Sequence, residues 1–257
     1  MFKAIRVFIL LLVLFFVGLN TWQTMVRTTD WNDSLWVTVY PINAAGNNRV
    51  QKYIDRLSVE DFDSLENFMA EQGAVYDLPL DRPIKVYLGR QLHDVPNLPP
   101  VNVSALSTII WSLKFRYWAW RMKQTTSDSI SNIRLFVLYY DPEIAPRLAH
   151  SIGMRKGLIG LINAYGDWRY TGSNLVVIAH EMLHTVGATD KYDLSTGQPV
   201  YPHGYAEPDK VPLYPQRYAE LMGGRIPENA NESDIPRSLK EVRIGPESAK
   251  EINWILL

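Results

Sequence analysis

The sequence predicts an α+β domain, α/β-like in the way strands and helices alternate, carried behind one N-terminal membrane helix. Three observations predict it. The chain opens with an apolar run preceded only by positive charge, strand and helix patterns then alternate from residue 30 to the end, and one of those helices carries two histidines four residues apart. The organisation is therefore an anchor with a short linker over residues 1–29 and a single domain over residues 30–257, long enough to bury a substantial core.

Lys3 and Arg6 precede the apolar run from Val7 to Leu19, and positive charge ahead of such a run holds the amino end in the cytoplasm. The domain behind it is then exported. The run is short for a membrane helix, but Trp22 and Met25 extend it to about twenty residues with a tryptophan at the interface. Phe16 with Gly18, or Leu19 with Thr21, make poor cleavage positions, so the segment reads as an uncleaved signal-anchor. The expected product is a single-pass membrane protein with its domain periplasmic or extracellular. Absence of cysteine excludes a disulfide framework and a lipidated-cysteine anchor. With a formal net charge of −1 and no extended basic run, nucleic acid is not an expected partner.

Past the anchor, Trp36-Val37-Thr38-Val39-Tyr40 alternates as a strand does, and Pro41 with Asn43 to Asn48 closes it. A helical region begins at about Val50, with Ser58 as an internal cap and Phe62, Leu65, Phe68 and Met69 as the buried face up to Gly73. Its acidic residues read as a solvated face. Ile84 to Leu88 is a second strand. Ala105 to about Lys123 is an unusually aromatic helix with two apolar stripes, one of Leu106, Ile110, Leu113, Tyr117 and Trp120, the other of Trp111, Phe115, Trp118 and Met122. As a core helix it packs under the sheet and is covered by other segments; alternatively, its Trp and basic residues rest against the membrane. Ile133 to Tyr140 suits the middle of a sheet, and Gly157 to Tyr165 is a further strand. The long segment between Asp190 and Met222 is rich in proline and tyrosine and is expected to wall a pocket. Pro246 opens a closing helix whose Ala249, Ile252 and Ile255 form a stripe, with Trp254 packing it onto the domain.

The chemistry concentrates at Ala179-His180-Glu181-Met182-Leu183-His184-Thr185-Val186-Gly187-Ala188-Thr189-Asp190. On a helix, residues four apart lie about 40° from each other and roughly 6 Å along the axis, so both imidazoles reach one metal ion. Glu181 falls beside them, placed to take a proton from a metal-bound water without being a ligand. Gly172-Ser173-Asn174 offers an N-cap; Leu175, Ala179, Met182 and Val186 form the packing face; Gly187 stops the helix and turns Asp190 towards the metal. His203, Glu207 and Glu220, further along the chain, are rival third ligands by residue type. Asp193 suits a supporting role.

His180, Glu181, His184, Gly187 and Asp190 resemble the zinc signature of the metzincin metallopeptidases, in the variant that bears an aspartate as third ligand, seen in snapalysin-like and immune-inhibitor-A-like peptidases. The resemblance implies a zincin domain with a twisted mixed sheet, an active-site helix and a C-terminal helix. It implies Zn2+ held by His180, His184 and Asp190, with Glu181 as general base and a methionine turn below, for which Met222 in Glu220-Leu221-Met222-Gly223-Gly224 is the candidate. It also makes Leu158 to Ala164 the strand on which an extended substrate pairs. The expected function is zinc-dependent hydrolysis of peptide bonds, the partners being a peptide or protein substrate and the membrane. Two alternatives stand beside it: a non-catalytic, membrane-anchored binding or assembly module with a structural metal, and a zinc amidase acting on cell-wall peptides.

Overall fold

The computed structural model describes residues 5–12, 15, 16, 18, 29–100, 104–125, 131–155 and 157–255. Much of the expected anchor, residues 1–29, lies outside them. Residues 5–12 are helical with their apolar side chains exposed, and no helix among the described residues is long and apolar enough to cross a membrane.

The domain is mixed α/β around a mostly parallel sheet. In chain order come β1 (Leu35–Asn43), α1 (Asn48–Ile54), α2 (Asp63–Val75), β2 (Ile84–Leu88), α3 (Ala105–Thr125), β3 (Ile133–Tyr140), β4 (Ile152–Met154), β5 (Ile159–Tyr165) and α4 (Thr171–Val186). Four two-residue strands come next, β6 (Ala219–Glu220), β7 (Ile226–Pro227), β8 (Ser233–Asp234) and β9 (Val242–Arg243), then α5 (Pro246–Glu251). The five-stranded sheet has the order β2-β1-β3-β5-β4, with β4 alone antiparallel.

Both faces of this sheet are covered, which is why β1, β3 and β5 are apolar nearly throughout. Successive side chains point to opposite faces. Val37, Val39, Leu135, Val137 and Ile162 join the core under α1, α2 and α4. Tyr40, Ile42, Phe136, Leu138 and Leu161 pack against Trp111, Phe115, Trp118 and Met122 of α3 on the other face. The edge-to-face contact of Trp118 with Phe136, ring centroids 4.8 Å apart, centres that second layer.

Four expectations are corrected. β1 runs through Pro41 to Asn43 instead of closing at it. On a strand a residue's N–H and C=O point the same way, and the Pro41 carbonyl accepts from Leu92 N–H beyond the end of β2, so the missing donor falls where that neighbour strand has finished. The strand containing Leu158 to Ala164 is interior: β5 is paired by β3 on one side and by β4 on the other, so the open edge beside α4 belongs to Ile152–Met154. Three half-buried residues are too few to show an alternation, which is why β4 escapes a sequence reading. Of the two stripes on α3, only the one with Trp111, Phe115, Trp118 and Met122 is covered among the described residues; Leu106, Ile110, Leu113, Tyr117 and Trp120 are exposed. Finally, α4 starts at Thr171, and Asn174 does not cap it. The Asn174 amide instead exchanges both hydrogen bonds with the Tyr165 backbone, accepting from its N–H at 3.0 Å and donating to its carbonyl at 2.8 Å, and so pins the helix to the end of β5.

Candidate metal centre

α4 is buried on most of its circumference, which fixes the direction in which the remaining side chains project. Leu175, Ala179, Met182 and Val186 enter the core as their spacing predicts. His180 and His184 are left on the partly open side, one turn apart, their ring centroids 4.7 Å from each other. Gly187 ends the helix with φ 122°, and this turn lets the Ala188 carbonyl fold back to His184 Nδ1 at 2.8 Å.

Asp190 arrives from the far side of the same turn. Its Oδ1 lies 3.1 Å from His180 Nε2 and 3.1 Å from His184 Nε2, and the two Nε2 atoms are 3.1 Å apart. Three donors about 2 Å from one tetrahedral zinc ion stand roughly 3.3 Å from each other, so this near-equilateral triangle fits such an ion. The outer nitrogens agree: His180 Nδ1 donates to the Leu221 carbonyl at 2.9 Å and His184 Nδ1 to that of Ala188, which turns both Nε2 lone pairs inward. Lone pairs facing one another are tolerable only around a proton or a cation.

The electrostatics of the triangle also favour a cation. Burial opposes a charge on His180, but the bond to Asp190 and the nearby Glu181 carboxylate outweigh it and raise the imidazole above its ordinary value. Asp190 is partly buried, which opposes ionisation, yet the two imidazoles hold its carboxyl well below the usual range. Glu181 behaves in the opposite way: burial pushes its carboxyl up, against the pull of both histidines. One Glu181 oxygen, Oε2, is buried with no hydrogen-bond partner among the described residues, on a helix against which Gly153 of β4 packs so closely that a Cβ there would meet the Glu181 carbonyl at 2.2 Å. A carboxylate kept dry, raised and half-unsatisfied next to two imidazoles is equipped to accept a proton.

What delivers Asp190 is a bracket that sequence reasoning missed. Glu251, at the end of α5, accepts from Thr189 N–H at 2.8 Å, from the Thr189 hydroxyl at 2.6 Å and from Lys191 Nζ at 2.6 Å, so it holds the residues on both sides of Asp190. The Met222 carbonyl takes Lys191 N–H at 2.9 Å, while the preceding carbonyl, Leu221, takes His180. The predicted turn around Met222 thus joins α4 to the loop that carries Asp190. Gly223 and Gly224 both donate to the Glu220 carbonyl; Gly224 has φ 73°, and a Cβ on Gly223 would lie 2.4 Å from the Gly204 carbonyl. No periodicity announces Glu251, because its partners lie some sixty residues away in the chain.

The rival ligands do not join the cluster. Among the described residues, the one group of three such donors that could hold a metal is His180, His184 and Asp190. Glu220 is fully buried and spent on structure, accepting from Gly223 N–H, Gly245 N–H and the Ser248 hydroxyl. Glu207 is bound to the Arg217 guanidinium and backbone, and His203 is an exposed residue of the loop. Asp193 accepts from Ser195 and Thr196 N–H in its own turn, a helper to the loop and not a ligand. From the tyrosine-rich segment one ring reaches the site: Tyr192 lies beside Asp190, its ring 6.2 Å from that of His180. Burial, with the Asp190 and Glu181 charges, pushes its phenol up to about 12.

No family model matches the chain, and no curated protein matches it. Among solved structures it is similar to a chain described as "Structure of a chaperone-substrate complex", with 12% identity and a TM-score of 0.43, over 86% of this chain and 34% of that one. The protein thus spans about a third of the solved chain it matches, and a likeness at that level assigns neither fold family nor activity.

Proposed function

We propose that the protein is a zinc-dependent peptidase of the aspartate-bearing metzincin type, its catalytic domain exported and tethered by the N-terminal segment. The observation that carries this reading is the triangle of His180 Nε2, His184 Nε2 and Asp190 Oδ1 with, beside it, a buried Glu181 oxygen that has no hydrogen-bond partner among the described residues. His180, His184 and Asp190 would hold the ion. When bound, zinc supplies Lewis acidity, making water a better nucleophile and a carbonyl a better electrophile near neutral pH.

The remaining work falls to the chain. Glu181 accepts the proton of the attacking water and passes it to the departing amine, a double role suited to a carboxyl whose pKa burial has raised. Leu221 and Ala188 carbonyls keep the imidazoles from rotating. Glu251, through Thr189 and Lys191, positions the Asp190 carboxylate. The open edge of β4 lies against α4, so it is the place where an extended peptide would add a strand in reach of Glu181. A purely structural centre would leave Glu181 Oε2 buried to no end.

The test uses the full chain in detergent. Zinc per chain is measured together with cleavage of a mixed peptide library, for wild type and Glu181→Gln. One zinc in both, with cleavage reduced at least about a thousandfold in the variant, is the expected result. Equal cleavage by both would remove the base from the mechanism, and absence of bound zinc in wild type would remove the centre.

A further inference from the structure

α3 covers its sheet face with one side, and among the described residues nothing covers the other. At about 100° per residue, Leu106, Ile109, Ile110, Leu113, Tyr117 and Trp120 fall within roughly 100° of arc, on the side opposite the buried Trp111, Phe115, Trp118 and Met122. All six are exposed, Leu106 by 67% and Tyr117 by 64%. The stripe is about 21 Å long from Leu106 to Trp120. Contiguous apolar surface of that extent marks a contact.

The charges identify the occupant. The helix contains no acidic residue. Lys114 and Arg121 lie along one border of the stripe, and Arg116 and Lys123 along the other, each roughly 70–90° from its centre. Arg121 also reaches Asp94. An apolar stripe bordered on both sides by long cationic side chains matches an anionic bilayer surface, with the stems lying along the acyl boundary and the heads among phosphates. Tyr117 and Trp120, stacked with centroids 5.8 Å apart on the exposed face, are the residue types that settle at headgroup depth.

We propose that the exposed face of α3 lies in the interface of a membrane containing anionic lipid. α4 packs on the opposite face of the sheet, so the contact would turn the His180, His184 and Asp190 cluster towards the aqueous phase. This second contact is independent of the N-terminal segment and of whether the metal centre is catalytic.

The chain's lack of cysteine makes the test direct. The full chain carrying Leu113→Cys, or Tyr117→Cys as a second position, is spin-labelled and reconstituted into phosphatidylcholine vesicles with and without phosphatidylglycerol. Collision with oxygen, which partitions into lipid, is compared with collision with a water-soluble nickel chelate; Leu194→Cys, on an exposed turn, is the reference. The expected result is a several-fold rise in the oxygen-to-nickel ratio at 113 and 117 when phosphatidylglycerol is present, no change at 194, and loss of the rise on adding Lys114→Glu with Lys123→Glu. A label that stays open to nickel in vesicles overturns the proposal. So does one shielded from both reagents, which would mean that a second copy or the N-terminal segment covers the face. A rise indifferent to phosphatidylglycerol and to charge reversal overturns the anionic-lipid assignment.

Discussion

Glu181 and Asp190 are carboxylates beside the same two imidazoles, and their surroundings drive them apart. Burial raises Glu181, while the two imidazoles packed against Asp190 lower it, so one is suited to carry a proton and the other to stay charged. The raised His180 imidazole has a consequence for metal binding. If the cluster holds zinc as proposed, the ion must displace the proton that His180 keeps until pH rises through that raised value. Apparent zinc affinity is therefore expected to fall as pH falls through the His180 value. The sign reverses for the metal-free chain: the raised imidazole contributes stability present below its unfolded pKa and lost as pH rises through the folded one. The rise in Tm on adding zinc should accordingly grow with pH. Calorimetric zinc titrations and thermal unfolding over a pH series read both trends, and a pH-independent affinity would contradict them.

At the scale of elements, the site is a matter of how close β4, α4 and the 189–191 loop come. A Cβ on Gly153 would meet the Glu181 carbonyl at 2.2 Å and His184 Cβ at 2.6 Å, both parts of a rigid helix. Gly153→Ala is expected to push β4 off α4, costing about 1–3 kcal/mol of stability and weakening zinc binding together; urea unfolding beside a zinc titration would show it. Glu251→Ala acts from a distance. It frees Thr189 and leaves Lys191, with 8% side-chain exposure, without its carboxylate. Zinc affinity should drop about 10–100-fold while the far-UV circular dichroism stays that of wild type. Unchanged affinity would show that Gly187 alone delivers Asp190.

Over the whole molecule, two apolar layers flank one sheet, and a few buried polar groups fasten the C-terminal segment to it. Glu220 is the chief of these, tying the Met222 turn to Gly245 and Ser248 at the start of α5. Its truncation to alanine orphans those donors, so Glu220→Ala should destabilise the fold by about 2–4 kcal/mol, seen as a lower midpoint in urea. Glu220 also shows why the site was only partly legible. A downstream acidic residue looks alike in sequence whether it serves a metal or a turn. His180, Glu181, His184, Gly187 and Asp190 could be grouped from the chain alone because they lie within a dozen residues, where helix periodicity and one glycine turn decide who faces whom. The apolar strands, the Ser58 cap, which serves the short 3-10 turn ahead of α2, and Pro246 in the first turn of α5 were local in the same sense. Which sheet edge is open, which stripe of α3 is covered, and that Glu251 holds the loop carrying Asp190 depend on contacts between residues far apart in the chain. No short-range pattern encodes these, so only the packed structure decided them.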